Sequence, residues 1–473
     1  MSKTVLRFFD DYWIDVRKGV KRTWYTPVLS GTFDRAGIYP SIAWCPEIGK
    51  YQLWYEVMPD FSNDGYRHLA LAQSDDGLNW SDDKIVIRGG KQGIHGTCVY
   101  RDSYETNGSK LYKACTMGEY VHDKARTPFE RPLVVYTSPD GVNWEQEKPK
   151  MIYPFSSDTY NCITYNPVFK KYMMYMRASN IDRRIAMMES ADLNSWNRPM
   201  TVIHPGAVYA DENEMVQLYA MWAGWFDGMF LGHLWRFHTQ ANDTASPKMY
   251  GYMDTELVYS YNGVNWMHTT GKPIVERPAP PEFGHTQLNF SGMIETKEKD
   301  AWILLSSASR GIHGSSNENK RLYDLMEGKI IRLNFYRIRR DGFCGLDGVG
   351  RDGLVITKPF ELLKDDLTFN INAPFGQVRF AVTDASSKPI EGFSLDDCQP
   401  FTGDDLDVVP RWKNRSIHEL TGKRVRIWVE LSTAVLYSIS ATMRPYIYGP
   451  QVSVSDPTRV ETDEGFTDTF SKF

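Results

Sequence analysis

The sequence predicts an all-β protein, a five-bladed β-propeller followed by a β-sandwich, and three observations carry this prediction. Two series of short strand-like segments recur and interleave through the first 343 residues. Beyond Phe343 the pattern changes to an alternation of apolar and polar residues, which is typical of half-buried antiparallel sheets. A chain of 473 residues is also long enough for two or three domains.

The first series consists of apolar runs that end in a turn and an aromatic residue. A Ser opens most of the turns, Asp, Asn or Gly follows, and a Trp closes most of the segments. Gly or Asn supplies the positive φ of a tight hairpin, and Asp binds its own backbone. The copies are LALAQSDDGLNW, LVVYTSPDGVNW, IAMMESADLNSW, ELVYSYNGVNW and, more weakly, LNFYRIRRDGF. This repeat predicts a fold and no chemistry.

The second series consists of strand-like segments that each carry an aromatic anchor. Successive anchors lie 61, 60, 58 and 72 residues apart, and they are Tyr51, Tyr112, Tyr172, Phe230 and Trp302. A unit of about 60 residues with several strands has the size of a propeller blade. Five units therefore predict five blades.

Changes in pattern place the domain boundaries. We expect an N-terminal extension at 1–24, the propeller at 25–343, the β-sandwich at 344–448 and a C-terminal tail at 449–473. The segments LTFNINA, GQVRFAVTDASSKPIEGF and KRVRIWVELSTAVLYSISA alternate as sandwich strands do. The tail is polar and rich in Asp, Thr and Ser.

Composition and charge narrow the range of partners. The net charge of -5 offers no basic footprint for nucleic acid or an anionic membrane. No run approaches the length of a membrane helix, and acidic residues interrupt the apolar stretches of the N-terminus, so we expect a cytoplasmic protein. The six cysteines lack a C-x-x-C pair and are expected to be buried free thiols. The sequence leaves the oligomeric state open.

A propeller followed by a sandwich, with S-x-D-G-x-x-W turns in its blades, resembles the glycoside hydrolase superfamily of families thirty-two, forty-three and sixty-eight. The order of segments is most similar to uncharacterised bacterial proteins of the family-thirty-two-like type, and the similarity includes GQVRFAVTDASSKPIEGFSLDDCQPFTGDDLDVVPRW. The resemblance implies a carbohydrate partner and carboxylates that meet in the mouth of a central funnel. The Arg-Asp-Pro motif of the invertase kind is not present.

The resemblance places catalytic carboxylates at the starts of the innermost strands. Such chemistry needs one carboxyl group that stays ionised and another that stays protonated. Asp158, in FSSDTYNCITYNP, stands at the expected distance before its anchor, although a turn or strand cap is its structural alternative. Asp34 is the first-blade candidate, and it departs from the family's Asp, which is expected nearer Tyr39 to Ser41.

The fourth blade offers an acidic cluster for the acid role. Glu212 and Glu214 lie in ADENEMVQLYAMW together with Asp211, and solvated loop charges are their alternative reading. In the look-alike proteins an acidic residue occupies the position of Gln217, so the acid has moved to Glu214 or has been lost.

The substrate-binding candidates combine aromatic, charged and histidine side chains. They are His95, Arg177, Glu212, Trp225, Asp227, Glu282, His285 and His313. The aromatic residue offers a sugar-stacking face, or else packs between blades. The histidines hydrogen-bond within the funnel wall, polarise a hydroxyl or bind a metal, and their spacing has no ligand signature. We expect no cofactor, with a divalent cation in the funnel left open.

Three functions fit these residues. The leading hypothesis is a glycoside hydrolase for a small glycan, furanosidic or other, that uses carboxylate acid/base chemistry of retaining or inverting kind. The second is a non-catalytic carbohydrate-binding propeller. The third is a glycoside phosphorylase, which would hold phosphate with cationic residues such as Arg101, Arg177 and Arg310.

Overall fold

A computed structural model describes residues 3–57, 67–89, 93–118, 131–146, 149–177, 183–205, 214–240, 250–314, 316–348, 350 and 353–445. Within these ranges the chain is almost entirely β-strand, with one α-helix, α1 (Ser316–Leu325), and short 3-10 helices at Gly108–Lys110 and Ile417–Leu420. The all-β prediction is confirmed. None of the described helices is long and apolar enough to cross a membrane.

The chain divides into two compact units. One unit comprises Pro27–Trp225 and Met229–Arg337, and the other comprises Met1–Thr26, Phe226–Gly228 and Ile338–Phe473. The chain starts in the second unit with β1 (Thr4–Arg7), β2 (Ile14–Lys18) and β3 (Lys21–Trp24). It then enters the first unit with β4 (Val28–Phe33).

Three sheets of the first unit contain four antiparallel strands each, in sequence order. The first has β5 (Gly37–Cys45), β6 (Lys50–Val57), β7 (His68–Ser74) and β8 (Lys84–Ile87). The second has β9 (His95–Arg101), β10 (Tyr112–Met117), β11 (Leu133–Ser138) and β12 (Lys150–Tyr153). The third has β13 (Cys162–Asn166), β14 (Lys171–Met176), β15 (Ile185–Ser190) and β16 (Met200–Ile203).

An eight-stranded sheet completes the first unit. Its strands are β17 (Glu214–Phe226), β18 (Met229–Gln240), β19 (Tyr252–Ser260), β20 (Met267–Pro273), β21 (Gln287–Glu295), β22 (Ala301–Ser309) and β23 (Ile331–Arg339), together with β4. β4 pairs antiparallel with β23, so a strand from the start of the propeller segment closes its last sheet. β19 and β21 meet at a single parallel pair, Met253 with Gln287.

Hydrogen bonds between inner strands close these sheets into a ring. The Val99 amide donates to Ser41 Oγ at 3.0 Å, which joins β9 to β5. Farther round, Cys98 Sγ of β9 donates to a carbonyl of β13, Cys162 Sγ of β13 accepts from an amide of β17, and Trp235 Nε1 of β18 donates to a carbonyl of β21. Ser291 Oγ of β21 then donates to the Pro40 carbonyl of β5 at 2.7 Å. A closed ring of radial antiparallel sheets is a β-propeller, as predicted.

The first four predicted turns join the third and fourth strands of their blades. The fifth, at the end of LNFYRIRRDGF, was expected to do the same but leads from β23 into the strand Cys344–Asp347 of the second unit, because β4 takes the place beside β23. In the first copy, Ser74 Oγ accepts from the Gly77 amide at 2.9 Å, and Asp76 Oδ1 accepts from the Leu78 amide at 2.8 Å. The glycine has φ +76, which explains its presence. Three of the closing indoles donate to the carbonyl three residues earlier, and they are Trp144, Trp196 and Trp266.

The second unit is the predicted β-sandwich. Its strands after β23 are β24 (Cys344–Asp347), β25 (Gly353–Thr357), β26 (Phe360–Leu362), β27 (Thr368–Asp384), β28 (Phe401–Val408), β29 (Arg424–Ser432), β30 (Val435–Ala441) and β31 (Met443–Pro445). β27 pairs with β30 through its first half and with β29 through its second half, so this long strand connects the two parts of an eleven-stranded sheet.

The N-terminal strands belong to this sandwich unit. β1 pairs with β30, β2 with β25 and β3 with β24. The segment expected as an extension at 1–24 thus adds three strands to the sheet. The expected tail at 449–473 lies outside the described residues.

Candidate functional site

A stack of aromatic rings fills the centre of the propeller. Trp235 of β18 stacks on Tyr39, Tyr160 and Tyr219, with interplanar angles of 2°, 20° and 16°. The three tyrosines come from β5, from the segment before β13 and from β17, and all four rings are buried. Close ring packing stabilises the centre and gives the inner strand ends a rigid floor.

The backbone of β9 brings His95 and Asp158 together. His95 is the first residue of β9, and the next residue, Gly96, has φ +72. A Cβ on Gly96 would lie 1.7 Å from the Thr159 carbonyl oxygen, so only glycine permits this approach. The Asn161 amide donates to the Gly96 carbonyl at 2.9 Å and fixes the segment that carries Asp158.

Asp158 presents an ionised carboxylate to solvent. Its Oδ1 lies 2.9 Å from His95 Nε2 and its Oδ2 lies 3.4 Å from Arg177 Nη2, while 55% of the side chain remains exposed. The hydrogen bond from His95, followed by the charges of Arg177 and Arg67, holds the pKa of Asp158 well below its ordinary value, against the opposing effect of burial. Asp158 is therefore suited to act as a base or a nucleophile and unsuited to donate a proton.

Arg67 decides which nitrogen of His95 carries the proton. Its Nη1 contacts His95 Nδ1. A guanidinium has only N–H donors, so Nδ1 must accept, and the proton of the neutral ring lies on Nε2, where it is donated to Asp158. Arg67 in turn lies 3.7 Å from the fully buried Glu56, whose other oxygen accepts from the amide and hydroxyl of Thr97.

Tyr39 lies beside His95, and its backbone is strained. Its φ is +52, and the pairing register of β5 with β6 shifts between Ile38 and Ser41. Such a bulge re-aims a side chain, and a non-glycine residue at positive φ costs about 1–3 kcal/mol. The Tyr39 hydroxyl lies 3.4 Å from His95 Nε2, and burial raises the pKa of Tyr39 well above its ordinary value.

Two arginines, Arg177 and Arg183, lie against the ring of Tyr219. The guanidinium carbon of Arg177 lies 4.9 Å from the Tyr219 ring centroid, and that of Arg183 lies 5.6 Å from it. Arg183 donates to Gln217 Oε1 at 2.8 Å. Burial and the charge of Arg177 lower the pKa of Arg183. The position at which the look-alike proteins have an acidic residue is thus occupied by Gln217, which accepts a hydrogen bond from Arg183.

His313 joins the cluster through Tyr219. Its Nε2 lies 3.1 Å from the Tyr219 hydroxyl, and its ring packs edge-on against Tyr219 and Phe237. Of the residues predicted from the sequence, the structure therefore brings together four, and they are His95, Asp158, Arg177 and His313.

The other predicted carboxylates have separate surroundings. Glu214 binds His238 Nδ1 at 3.1 Å, and His238 Nε2 binds Asp254 at 3.0 Å. Glu212 lies outside the described residues. Asp34 is exposed between β4 and β5, with no contact recorded to the cluster among the described residues.

The remaining candidates are spread over other parts of the fold. Trp225 packs against Phe230. It lies six residues beyond Tyr219 on β17, a distance of roughly 20 Å along the strand. Asp227 lies in the β17–β18 turn, where its carbonyl accepts from the Val5 amide. Glu282 and His285 form a local loop contact, with His285 Nδ1 2.7 Å from the Glu282 carbonyl oxygen.

Only one of the three phosphate-binding candidates lies in the cluster. Arg101 ends β9 and pairs with the exposed Glu47 at 2.7 Å. Arg310 donates to the Lys329 carbonyl and lies 3.8 Å from the Phe283 ring centroid. Arg177 contacts Asp158 and Tyr219 directly.

Sequence reasoning missed several residues of the cluster, but the repeat contains a signal for two of them. The missed residues are Tyr39, Glu56, Arg67, Arg183 and Tyr219. In three successive blades an arginine stands seven residues before the turn serine, and these pairs are Arg67 with Ser74, Arg131 with Ser138 and Arg183 with Ser190. An alignment of the repeats on this serine therefore singles out Arg67 and Arg183.

The described part of the chain contains no group of three or more His, Cys, Asp or Glu side chains placed to hold a metal ion. All six cysteines are buried and unpaired.

No protein-family model and no curated protein matches this chain. Among solved structures, an N-acetylgalactosamine deacetylase from F. plautii is similar with a TM-score of 0.48 and 12% identity, over 69% of this chain and 97% of that chain. An α-L-arabinofuranosidase from Lactobacillus brevis gives 0.43 and 12%, over 67% and 95%. An exo-β-1,3-galactanase from Phanerochaete chrysosporium gives 0.41 and 9%, over 88% and 100%. Similarities this low do not establish the activity of this chain.

Proposed function

We propose that this protein is a glycoside hydrolase with a five-bladed propeller, and that it cleaves a small glycan at the cluster around Asp158. The observation that carries the proposal is the Asp158 carboxylate, which is exposed, ionised and oriented by His95 and Arg177. Glu56 is the other carboxylate in direct contact with the described cluster, and it is fully buried.

The exposed Asp158, and not the buried Glu56, is the carboxylate that can reach a substrate. A carboxylate with a lowered pKa attacks an anomeric carbon or activates water, because its negative charge persists at neutral pH. His95 and Arg177 hold the carboxylate in one orientation, which reduces the entropy lost on reaching the transition state. The proton donor stays a prediction: Asp211 and Glu212 lie outside the described residues, and Glu214 contacts His238.

The test is Asp158→Asn, which removes the charge and preserves the shape. We expect turnover on a panel of aryl glycosides and short oligosaccharides to fall by roughly 10²- to 10⁴-fold, with little change in thermal unfolding. Asp82→Asn is the matched control, because the Asp82 side chain is 99% exposed and its recorded contact is an exposed ion pair with Arg35. Its turnover should equal that of the wild type.

Two other results decide between the hypotheses. Full activity in the Asp158→Asn protein would remove this carboxylate from the mechanism. Sugar binding by a wild-type protein that turns over no glycan of the panel would favour the carbohydrate-binding propeller instead.

A further inference from the structure

A second group of charged side chains lies on the other face of β17 and β18 from the candidate site. Successive side chains of a strand point to opposite faces. Phe237 of β18 packs against Tyr219 of the site. The next residue, His238, contacts Glu214 of β17 and Asp254 of β19 instead. The proposed reaction makes no use of this second face.

His238 lies between two carboxylates, and each of its ring nitrogens contacts one of them. Nδ1 lies 3.1 Å from Glu214 Oε2, and Nε2 lies 3.0 Å from Asp254 Oδ2. A neutral imidazole has one N–H donor, whereas an imidazolium has two, and an ionised carboxylate only accepts. An imidazole is also more basic than a carboxylate, so a shared proton lies on the ring. Both contacts are therefore hydrogen bonds when His238 is an imidazolium.

The two carboxylates differ in how firmly the protein holds them. Asp254 is 8% exposed, and its Oδ1 accepts from Arg236 Nε at 2.6 Å. Glu214 is 51% exposed and begins β17. Water can replace a hydrogen bond that an exposed carboxylate loses, but not one that a buried carboxylate loses. When the ring loses one proton, the remaining N–H therefore stays with Asp254, and Nδ1 presents a lone pair to Glu214.

The surroundings of His238 favour its charged form. Burial lowers the pKa of His238, but the hydrogen bond and charge of Asp254 and the hydrogen bond of Glu214 outweigh it, so the pKa lies above its ordinary value of 6.5. The charge of Arg236 acts in the opposite direction, against protonation. The change between the two states of the ring thus falls on the alkaline side of pH 6.5.

A second histidine on this face titrates beside the first. His268 of β20 lies 3.2 Å from the buried Glu256, and this hydrogen bond, against the effect of burial, raises the pKa of His268 as well. An experiment must therefore assign each ring separately. Besides Glu214 and Asp254, the charged and titratable groups recorded around His238 in the described chain are Arg236, Tyr252, Glu256, His268 and, over the Tyr252 ring, Arg277.

We propose that His238 forms a pH-sensitive bridge at the edge of the eight-stranded sheet, which joins Glu214 to Asp254 as an imidazolium and releases Glu214 when the ring loses a proton. The Thr239 hydroxyl donates to the Met215 carbonyl at 3.1 Å, so the backbone of β17 keeps a contact with β18 that does not titrate. The bridge goes beyond the proposed function, since no substrate takes part in it.

Thermal unfolding of the wild type and of His238→Gln between about pH 5 and pH 9 tests the bridge. A histidine with a raised folded-state pKa stabilises the protein fully below its unfolded pKa, and this contribution is lost as the pH rises through the folded value. The wild type should unfold roughly 2 °C or more above the variant below pH 6.5, and this difference should shrink at higher pH. A difference that is independent of pH would contradict the bridge.

The matched control for this measurement is His418→Gln. The His418 side chain is 77% exposed and lies 3.4 Å from the exposed Asp365. An exposed pair of this kind contributes little to stability. The unfolding temperature of the control should therefore follow that of the wild type at every pH, and a loss equal to that of His238→Gln would assign the effect to histidine charge in general.

Ring NMR of the full chain with labelled histidine observes the proton directly. The resonances missing from His238→Gln and His268→Gln assign the two rings. We expect His238 to titrate above pH 6.5 in the wild type and at lower pH in Glu214→Gln, which removes one negative partner. Glu214 is half exposed, so Glu214→Gln decides the matter if His238→Gln fails to fold. Titration of His238 at or below pH 6.5, or no histidine resonance that moves in Glu214→Gln, overturns the proposal, and neither result depends on glycan turnover.

Discussion

In the first and third blades, the two ends of the third strand make different kinds of contact. At one end, Ser74 and Asp76 close a turn with amides at most three residues away. At the other end, Arg67 contacts His95, 28 residues away and in the next sheet, and Arg183 contacts Gln217, 34 residues away. At one end the repeat thus forms a turn held by local hydrogen bonds, and at the other end it contributes an arginine to a cluster of side chains from several strands.

The turn and the cluster each contain an aspartate whose pKa is lowered, but by different kinds of neighbouring group. At the turn, backbone amides and Asn143 lower the pKa of Asp140 against the opposing effect of burial. In the cluster, His95 and then Arg177 lower the pKa of Asp158. The oxygens of a turn aspartate are used by its own turn, whereas the Asp158 carboxylate is held by side chains from other strands and keeps 55% of its side chain exposed for chemistry.

The comparison predicts its largest effect at Arg67. Arg67→Met should lower turnover by roughly 10- to 100-fold, because His95 loses the group that fixes its tautomer. Arg67→Lys should restore much of the loss, since an ammonium also offers only N–H donors. Nitrogen NMR of the ring should show the proton on Nε2 in the wild type and in the Lys variant. A ring protonated on Nδ1 in the wild type would contradict this assignment.

At the turn end the effect should fall on stability and leave turnover unchanged. Asp140→Ala removes the acceptor of the Val142 and Asn143 amides and should cost about 1–2 kcal/mol in the free energy of unfolding. Asp140→Asn should cost much less, because Asn262 already fills this role in the fourth copy of the turn. Urea unfolding measures both variants. Equal losses in the two would mean that the charge, and not the acceptor geometry, holds the turn.

The difference between the two ends also explains what the sequence could predict. The turns were predictable because serine, aspartate and glycine form them with local hydrogen bonds. His95, Asp158 and Arg177 were found because they flank predicted strands. The bulge at Tyr39 arises in the pairing of β5 with β6, and Trp235 stacks on a ring from another sheet, so neither can be predicted from a local sequence pattern. The same applies to β1, whose partner β30 lies more than 400 residues away.

The smallest expected effect is the dependence of stability on pH at a single turn. Backbone and side-chain hydrogen bonds from Asn79 and an amide of Leu78 lower the pKa of Asp76 from 3.8 to about 2, although burial opposes them. A carboxyl group with a lowered folded-state pKa stabilises the protein above its unfolded pKa, and this contribution is lost as the pH falls toward the folded value.

The acid limb of the stability profile should therefore differ between the wild type and Asp76→Asn. The free energy of unfolding of the wild type, relative to the variant, should be constant above about pH 5 and should decrease between roughly pH 4 and pH 2. Urea titrations at several pH values measure the difference, and Asp82→Asn, at an exposed aspartate, controls for general loss of charge. A constant difference across this range would show that Asp76 holds its turn equally well when protonated, because the same acceptor geometry would then suffice without the charge.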